Sequence, residues 1–132
     1  MGYTVDLQEA DLRCRSEADA RAAAALVPQH AENCPRHFNV EPWCPSNPCR
    51  DDAWKLSVEY FEGDHWDSDE AAVLWLALAP HLADGATIEF QGEDLYRWRI
   101  RWEGGRVFEE QVESVQWTVV RELQPPQKDG AS

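Results

Sequence analysis

From residue 86 to 102 the chain alternates apolar and polar side chains, and a period of two is the signature of extended strand. ATIEFQ (86–91) places Ala86, Ile88 and Phe90 on one side. YRWRIRW (96–102) places Tyr96, Trp98, Ile100 and Trp102 on one side and Arg97, Arg99 and Arg101 on the other. RVFEEQVESVQW follows across Glu103-Gly104-Gly105, and TVVREL runs on to about residue 123. Strands joined by short turns form an antiparallel meander.

The ladder holds three of the twelve basic residues of a chain whose net charge is −13. Register decides what it faces. A three-residue loop at 103–105 with glycine in the left-handed position pairs Trp102 with Arg106, Ile100 with Phe108 and Arg99 with Glu109. A two-residue Gly-Gly turn would instead set Ile100 against Glu109 and Arg101 against Phe108. The first register segregates apolar from charged groups better and is the expected one, although it leaves Trp98 opposite Glu110. A five-residue loop at 91–95 pairs Phe90 with Tyr96, Ile88 with Trp98 and Glu89 with Arg97. On this reading the arginines form a solvated face answered by Glu89 and Glu109. Those carboxylates would repel phosphate, which argues against a nucleic-acid stripe.

Upstream, Tyr3, Val5 and Leu7 alternate as a strand over 3–7 that continues irregularly to Cys14. Ser16 and Asp19 form a capping pair before an alanine-rich helix at 17–27. Residues 54–62 alternate again, with Trp54, Leu56, Val58 and Tyr60 on one face. Asp67 and Glu70 precede a second helix at about 69–83, apolar nearly all round and therefore buried. Pro80 weakens its last turn and Gly85 suits its stop. Five of eight prolines fall in 28–53, which predicts a Cys/Pro-rich insertion loop. The expected fold class is α+β, in the order β-α-loop-β-α-β-β-β, with a mostly antiparallel sheet and two helices packed on one face. One domain spans 1–123, and 124–132 reads as a disordered tail.

The insertion holds Cys34, His37, Cys44 and Cys49 within sixteen residues, spaced C-x2-H-x6-C-x4-C. Three thiolates and an imidazole would complete one structural zinc ion, with His30 as a spare ligand. Four protein ligands would close such a site, whereas catalytic zinc keeps one position open. The same cysteines also admit a disulfide, Cys44 with Cys49 or Cys34 with Cys14, or plain free thiols.

From Leu56 to Tyr96 there is no lysine or arginine, against ten carboxylates. The densest part is EGDHWDSDE. Some of these charges serve the N-terminus of the second helix. The functional reading is a docking surface for the basic surface of a protein partner, made by Glu62, Asp64, Trp66, Asp67, Asp69 and Glu70, with Glu93 and Asp94 adjacent. The stretch lacks a D-x-[DN]-x-[DN]-G calcium loop. Excess negative charge disfavours nucleic acid and anionic membranes, and there is no long apolar run. The N-terminus has no signal-peptide pattern, so the expected location is cytoplasmic.

No G-x-S-x-G, P-loop, G-x-G-x-x-G or H-E-x-x-H is present. A pairing of His65 with Asp64 or Asp67 is the one enzymatic alternative; the leading expectation is no enzyme. Residues 82–117 resemble the C-terminal half of small uncharacterised bacterial and phage proteins with a DG-x-I-E-x-x-GED…WR…W pattern. The matching residues are Asp84, Gly85, Ile88, Glu89, Gly92, Glu93, Asp94, Trp98, Arg99, Gly104, Gly105 and Trp117. The resemblance covers about a quarter of the chain, supports a fold and implies no catalytic residues. Together these features predict a small acidic binding or inhibitory protein, of immunity or phage anti-defence type, that occludes a basic surface on a partner. A zinc-stabilised accessory domain is the alternative.

Overall fold

Alternating segments that each bury one face should join a single sheet, and they do. The computed structural model describes residues 3–30, 36–64, 66–113 and 116–125, with side chains for all but 36, 37, 112, 113, 116 and 117. Cys34, His65 and the tail at 126–132 lie outside the described residues. Among the described residues there are seven strands: β1 (Val5–Arg13), β2 (Arg36–Trp43), β3 (Lys55–Glu62), β4 (Ala86–Gly92), β5 (Arg97–Glu103), β6 (Arg106–Glu113) and β7 (Gln116–Leu123). They form one antiparallel sheet in the order β2-β3-β1-β4-β5-β6-β7. Two helices, α1 (Glu17–Gln29) and α2 (Ser68–Leu78), cover one face. The α+β class stands. Among the described residues no helix is long and apolar enough to cross a membrane.

Both helices begin where their caps predict. Ser16 Oγ accepts from the Asp19 amide at 3.1 Å, and Asp67 accepts from the amides of Asp69 and Glu70 at 2.9 and 3.2 Å. Their ends differ from expectation. Helix α1 runs through Pro28 to Gln29, because a proline in the last turn removes only one hydrogen bond. Helix α2 stops at Leu78, and Pro80 turns the chain into a short 3-10 turn at Ala79–His81.

Trp75 is the hinge of the core. It meets Phe38, Phe90 and Trp102 with ring centroids about 6 Å apart. Trp102 Nε1 donates to the Trp75 carbonyl at 2.9 Å, so a buried indole is satisfied by the helix it packs against. Small residues on α1, Ala20 and Ala23, are fully buried and let that helix lie close over β2 and β3.

Three expectations are corrected. First, the proline-rich insertion contains β2. Pro42 sits opposite Leu56, and β2 is at the sheet edge, where a missing N–H is tolerated. Second, the β5–β6 register is the rejected one. Glu103 pairs with Arg106, Ile100 with Glu109 and Arg101 with Phe108. Gly104 and Gly105 both have positive φ, 62° and 76°, the conformation of a two-residue hairpin turn whose twist matches the strands. Third, the β4–β5 register is shifted by two residues, with Phe90 opposite Trp98, Ile88 opposite Ile100 and Glu89 opposite Arg99. Faces are conserved by this second shift, so Trp98, Ile100 and Trp102 point to the core as expected, whereas Tyr96, expected on the same face, precedes β5 and is exposed.

Candidate functional site

The arginine ladder is absorbed by the sheet's uncovered face. Arg99 Nε and Arg101 Nε donate to the two oxygens of Glu110, at 2.7 and 2.9 Å. Glu110, not Glu109, is therefore the carboxylate that answers the ladder, and it is only 4% exposed. Arg101 and Arg106 stand over the Phe108 ring at 4.7 and 5.6 Å, and Arg97 reaches Glu89 at 3.4 Å. Elsewhere Arg13 pairs with Asp11, Arg21 with Glu17 and Arg106 with Glu122. Among the described residues most cations are spent in local ion pairs, so the remaining carboxylates set the sign of the outer potential.

Cys44 and Cys49 are joined by a disulfide, with Cα atoms 5.9 Å apart. In that oxidised form neither supplies a thiolate, so the expected set of Cys34, His37, Cys44 and Cys49 could hold a zinc ion only with this disulfide reduced. Cys34 and the His37 side chain are outside what is described, and no metal-holding cluster occurs among the described residues. His30 caps the C-terminus of α1 through its backbone N–H. Cys14 is a free, buried thiol whose pKa burial pushes up to about 12, helped by Asp19. It is protonated at neutral pH and a poor nucleophile.

The fold brings only part of the predicted acidic surface together: Glu62 and Asp64 line a separate cleft beside β1, away from the cavity that Trp66 lines. Asp67 is consumed by its capping role. Glu62 and Asp64 lie at the end of β3 and just beyond it. Glu70 is exposed on the first turn of α2, and Asp69, also exposed there, pairs with Arg121 at 3.2 Å. Trp66 is not a projecting anchor. It is half-buried among Phe61, Phe90 and Trp98, with centroids 5.0–6.5 Å away, and its Nε1 donates to Ser68 Oγ at 3.0 Å.

What Trp66 does is line a cavity of about 290 Å3, with Tyr3, Ser68, Tyr96, Trp98 and Glu109. The two indoles meet at 64°, and Tyr96 stacks on Trp98 with centroids 5.5 Å apart. Tyr3 reaches this wall because Gly92 has no side chain. A Cβ there would lie 1.7 Å from the Tyr3 hydroxyl oxygen. The Tyr3 hydroxyl donates to Asp94, which also accepts from the Tyr96 amide at 3.1 Å. Glu93 accepts from the Thr4 amide at 2.8 Å, while its own amide donates to the Thr4 carbonyl. Glu93 and Asp94 thus fasten the N-terminal segment to one side of the cavity. On the other side, Arg121 links Glu109, at 2.8 Å, to Asp69.

Electrostatics around the cavity are negative. Burial, then Glu109 and Asp94, push the Tyr96 hydroxyl pKa up. Burial and the bond to Asp94 push that of Tyr3 up to about 12. The Tyr3 hydroxyl, and secondarily the Tyr96 amide, hold Asp94 below the usual carboxylate range.

Sequence reasoning named Trp66, Asp69, Glu93 and Asp94, all at or beside this cavity, but missed Tyr3, Tyr96 and Glu109. Tyr3 and Tyr96 were assigned to strand faces. Only the crossing of β1 beside β4, with Gly92 opposite Val5, brings the N-terminus to the start of β5. A glycine ending a strand opposite an N-terminal aromatic segment was the available signal. No family model, curated protein or solved structure matches the chain.

Proposed function

We propose that this protein is a binding protein that docks the basic surface of a partner protein through the face around the Trp66–Trp98 cavity. One observation carries the reading. Segments 66–70 and 93–94, remote in sequence, are brought to one aromatic cavity whose charged lining group, among the described residues, is a carboxylate, Glu109. One described cation, Arg121, serves both Glu109 and Asp69, and Glu70, Glu93 and Asp94 add further negative charge, so a basic partner meets a net negative face. Aromatic residues inside a polar rim are a common composition of binding hot spots.

The test uses arrays of lysine- and arginine-rich peptides, with glutamate-rich peptides for comparison. The intact chain should bind the basic arrays, and raising salt from about 0.1 M to 1 M should remove most of the signal. The combined variant Asp69→Asn, Glu70→Gln, Glu93→Gln keeps acceptor oxygens but removes three charges, and should lose binding at low salt. Undiminished binding by that variant would refute the reading.

A further inference from the structure

The polar tips of the cavity walls are already engaged. The Tyr3 hydroxyl donates to Asp94, the Tyr96 hydroxyl to Gln111 Oε1 at 2.7 Å, and Trp66 Nε1 to Ser68 Oγ. What remains is ring surface of Tyr3, Trp66 and Tyr96, with Trp98 only 4% exposed behind the stacked Tyr96 ring. The charged lining group, Glu109, is 13% exposed and has one oxygen occupied by Arg121 Nε. A cavity of about 290 Å3 is at the small end of ligand sites, which begin at about 300 Å3. It suits one side chain or a small molecule.

These features select among cations. An anion meets carboxylates and engaged donors. A guanidinium brings five N–H groups and a lysine ammonium three, and against walls of engaged rings only Glu109 is placed to accept from them. A trimethylammonium group has no N–H to satisfy, is weakly hydrated and is attracted by ring faces and by nearby negative charge. Resting on the basic-partner reading above, we propose that the cavity is an aromatic cage for a methylated ammonium group, presented by a trimethylated lysine side chain of the partner. The aliphatic stem of that lysine would pass between the rims carrying Asp94 and Asp69.

The experiment compares four short peptides, identical except at one position: trimethyllysine, lysine, arginine, and the uncharged tert-butyl isostere of trimethyllysine. Choline is a fifth ligand. Binding is read from the indole N–H resonances of Trp66 and Trp98. The trimethyllysine peptide should bind about tenfold tighter than its uncharged isostere. Tyr96→Ala and Glu109→Gln should each weaken it about fivefold, with resonances elsewhere unmoved. Equal binding of the isostere would make the cavity merely apolar and overturn the proposal. Equal binding of the lysine or arginine peptide would overturn the methyl preference while leaving the basic-partner reading intact. Choline binding tighter than the peptide would overturn the side-chain source. If no ligand moves either indole while basic arrays still bind, the cage fails alone; if the arrays fail as well, both readings fall together.

Discussion

Glu109 and Glu110 are neighbours in the chain, and each receives an arginine, yet they do different things. Glu110 points to the uncovered face of the sheet and is nonetheless the more buried. Arg99 and Arg101 close over it from the adjacent strand, one on each oxygen. Glu109 points to the helix-covered face, where a carboxylate is unexpected opposite Ile100. Its partner, Arg121, comes from β7 and is 41% exposed. One carboxylate is saturated and structural; the other is tethered at the margin of the core and lines a cavity. Ion pairs with similar contacts therefore differ in consequence according to how much water can reach them.

Removing each carboxylate separates the two roles most sharply. Glu110→Ala leaves two guanidiniums, each only 21% exposed, facing a vacated site. It should cost about 3 kcal/mol. Glu109→Ala strands only Arg121, which water and Asp69 can still serve, and should cost about 1 kcal/mol or less. Urea denaturation of the two variants checks the ranking. Equal losses would mean that the covered face screens Glu109 as poorly as the ladder screens Glu110.

Gly92→Ala tests the wall that Glu109 faces. The new methyl group would collide with the Tyr3 ring, so Tyr3 must leave its place across the strand end. Loss of that partial burial should cost about 1–2 kcal/mol. It should also shift the Trp66 and Trp98 resonances while leaving the Arg99–Glu110–Arg101 bridge unchanged. Loss of stability without any shift at Trp66 would place Tyr3 outside the cavity wall.

The same comparison shows why half of the site was hidden in the sequence. Alternation located β4 and β5 and assigned their faces, because period and burial are local properties. The β5–β6 register was misjudged because the pattern alone treats a charge facing Ile100 as an error. Arg121, twelve residues beyond Glu109 and on a strand whose register the pattern does not fix, removes that error. Likewise Phe108 opposite Arg101 looked like a mismatch, and a cation over a ring makes it a contact. Strand β2 was obscured by Pro42 within it and by Pro35 and Pro45 on either side, a density that argues against a central strand but not an edge.

Acid should act on the cavity rim through Asp94. Its pKa is depressed in the folded chain, so the Tyr3–Asp94 tie contributes stability above the ordinary carboxylate value of about 3.9. That contribution disappears as pH falls through the depressed value. Alkali acts on the other partner. Tyr3 titrates at about 12 when folded, against about 10 when unfolded, so its contribution is present below about pH 10 and is lost as pH rises through that window. Tyr3→Phe should therefore reduce stability at neutral pH, with the difference from the parent chain shrinking at both extremes. A difference that stays constant across the full range would mean that the hydrogen bond is not what titrates.

Leu95→Gly should do the least, and for a reason that sharpens the others. Leu95 is 74% exposed and sits at φ 68° in the turn between Gly92 and Tyr96. Left-handed backbone costs a branched, non-glycine residue about 1 kcal/mol. Glycine relieves that cost but adds about the same conformational freedom to the unfolded chain. The two effects oppose, and the net change should stay within about 0.5 kcal/mol. Because the turn's hydrogen bonds are backbone ones, from the Leu95 amide to the Gly92 carbonyl and from the Gly92 amide to the Tyr96 carbonyl, both survive the substitution. Thermal melting should barely move, and the cavity resonances should stay in place. A large shift at Trp98 would mean that the Leu95 side chain, rather than the turn's backbone, positions Tyr96, and the wall opposite Glu109 would then owe its geometry to an exposed residue instead of to Gly92 and Tyr3.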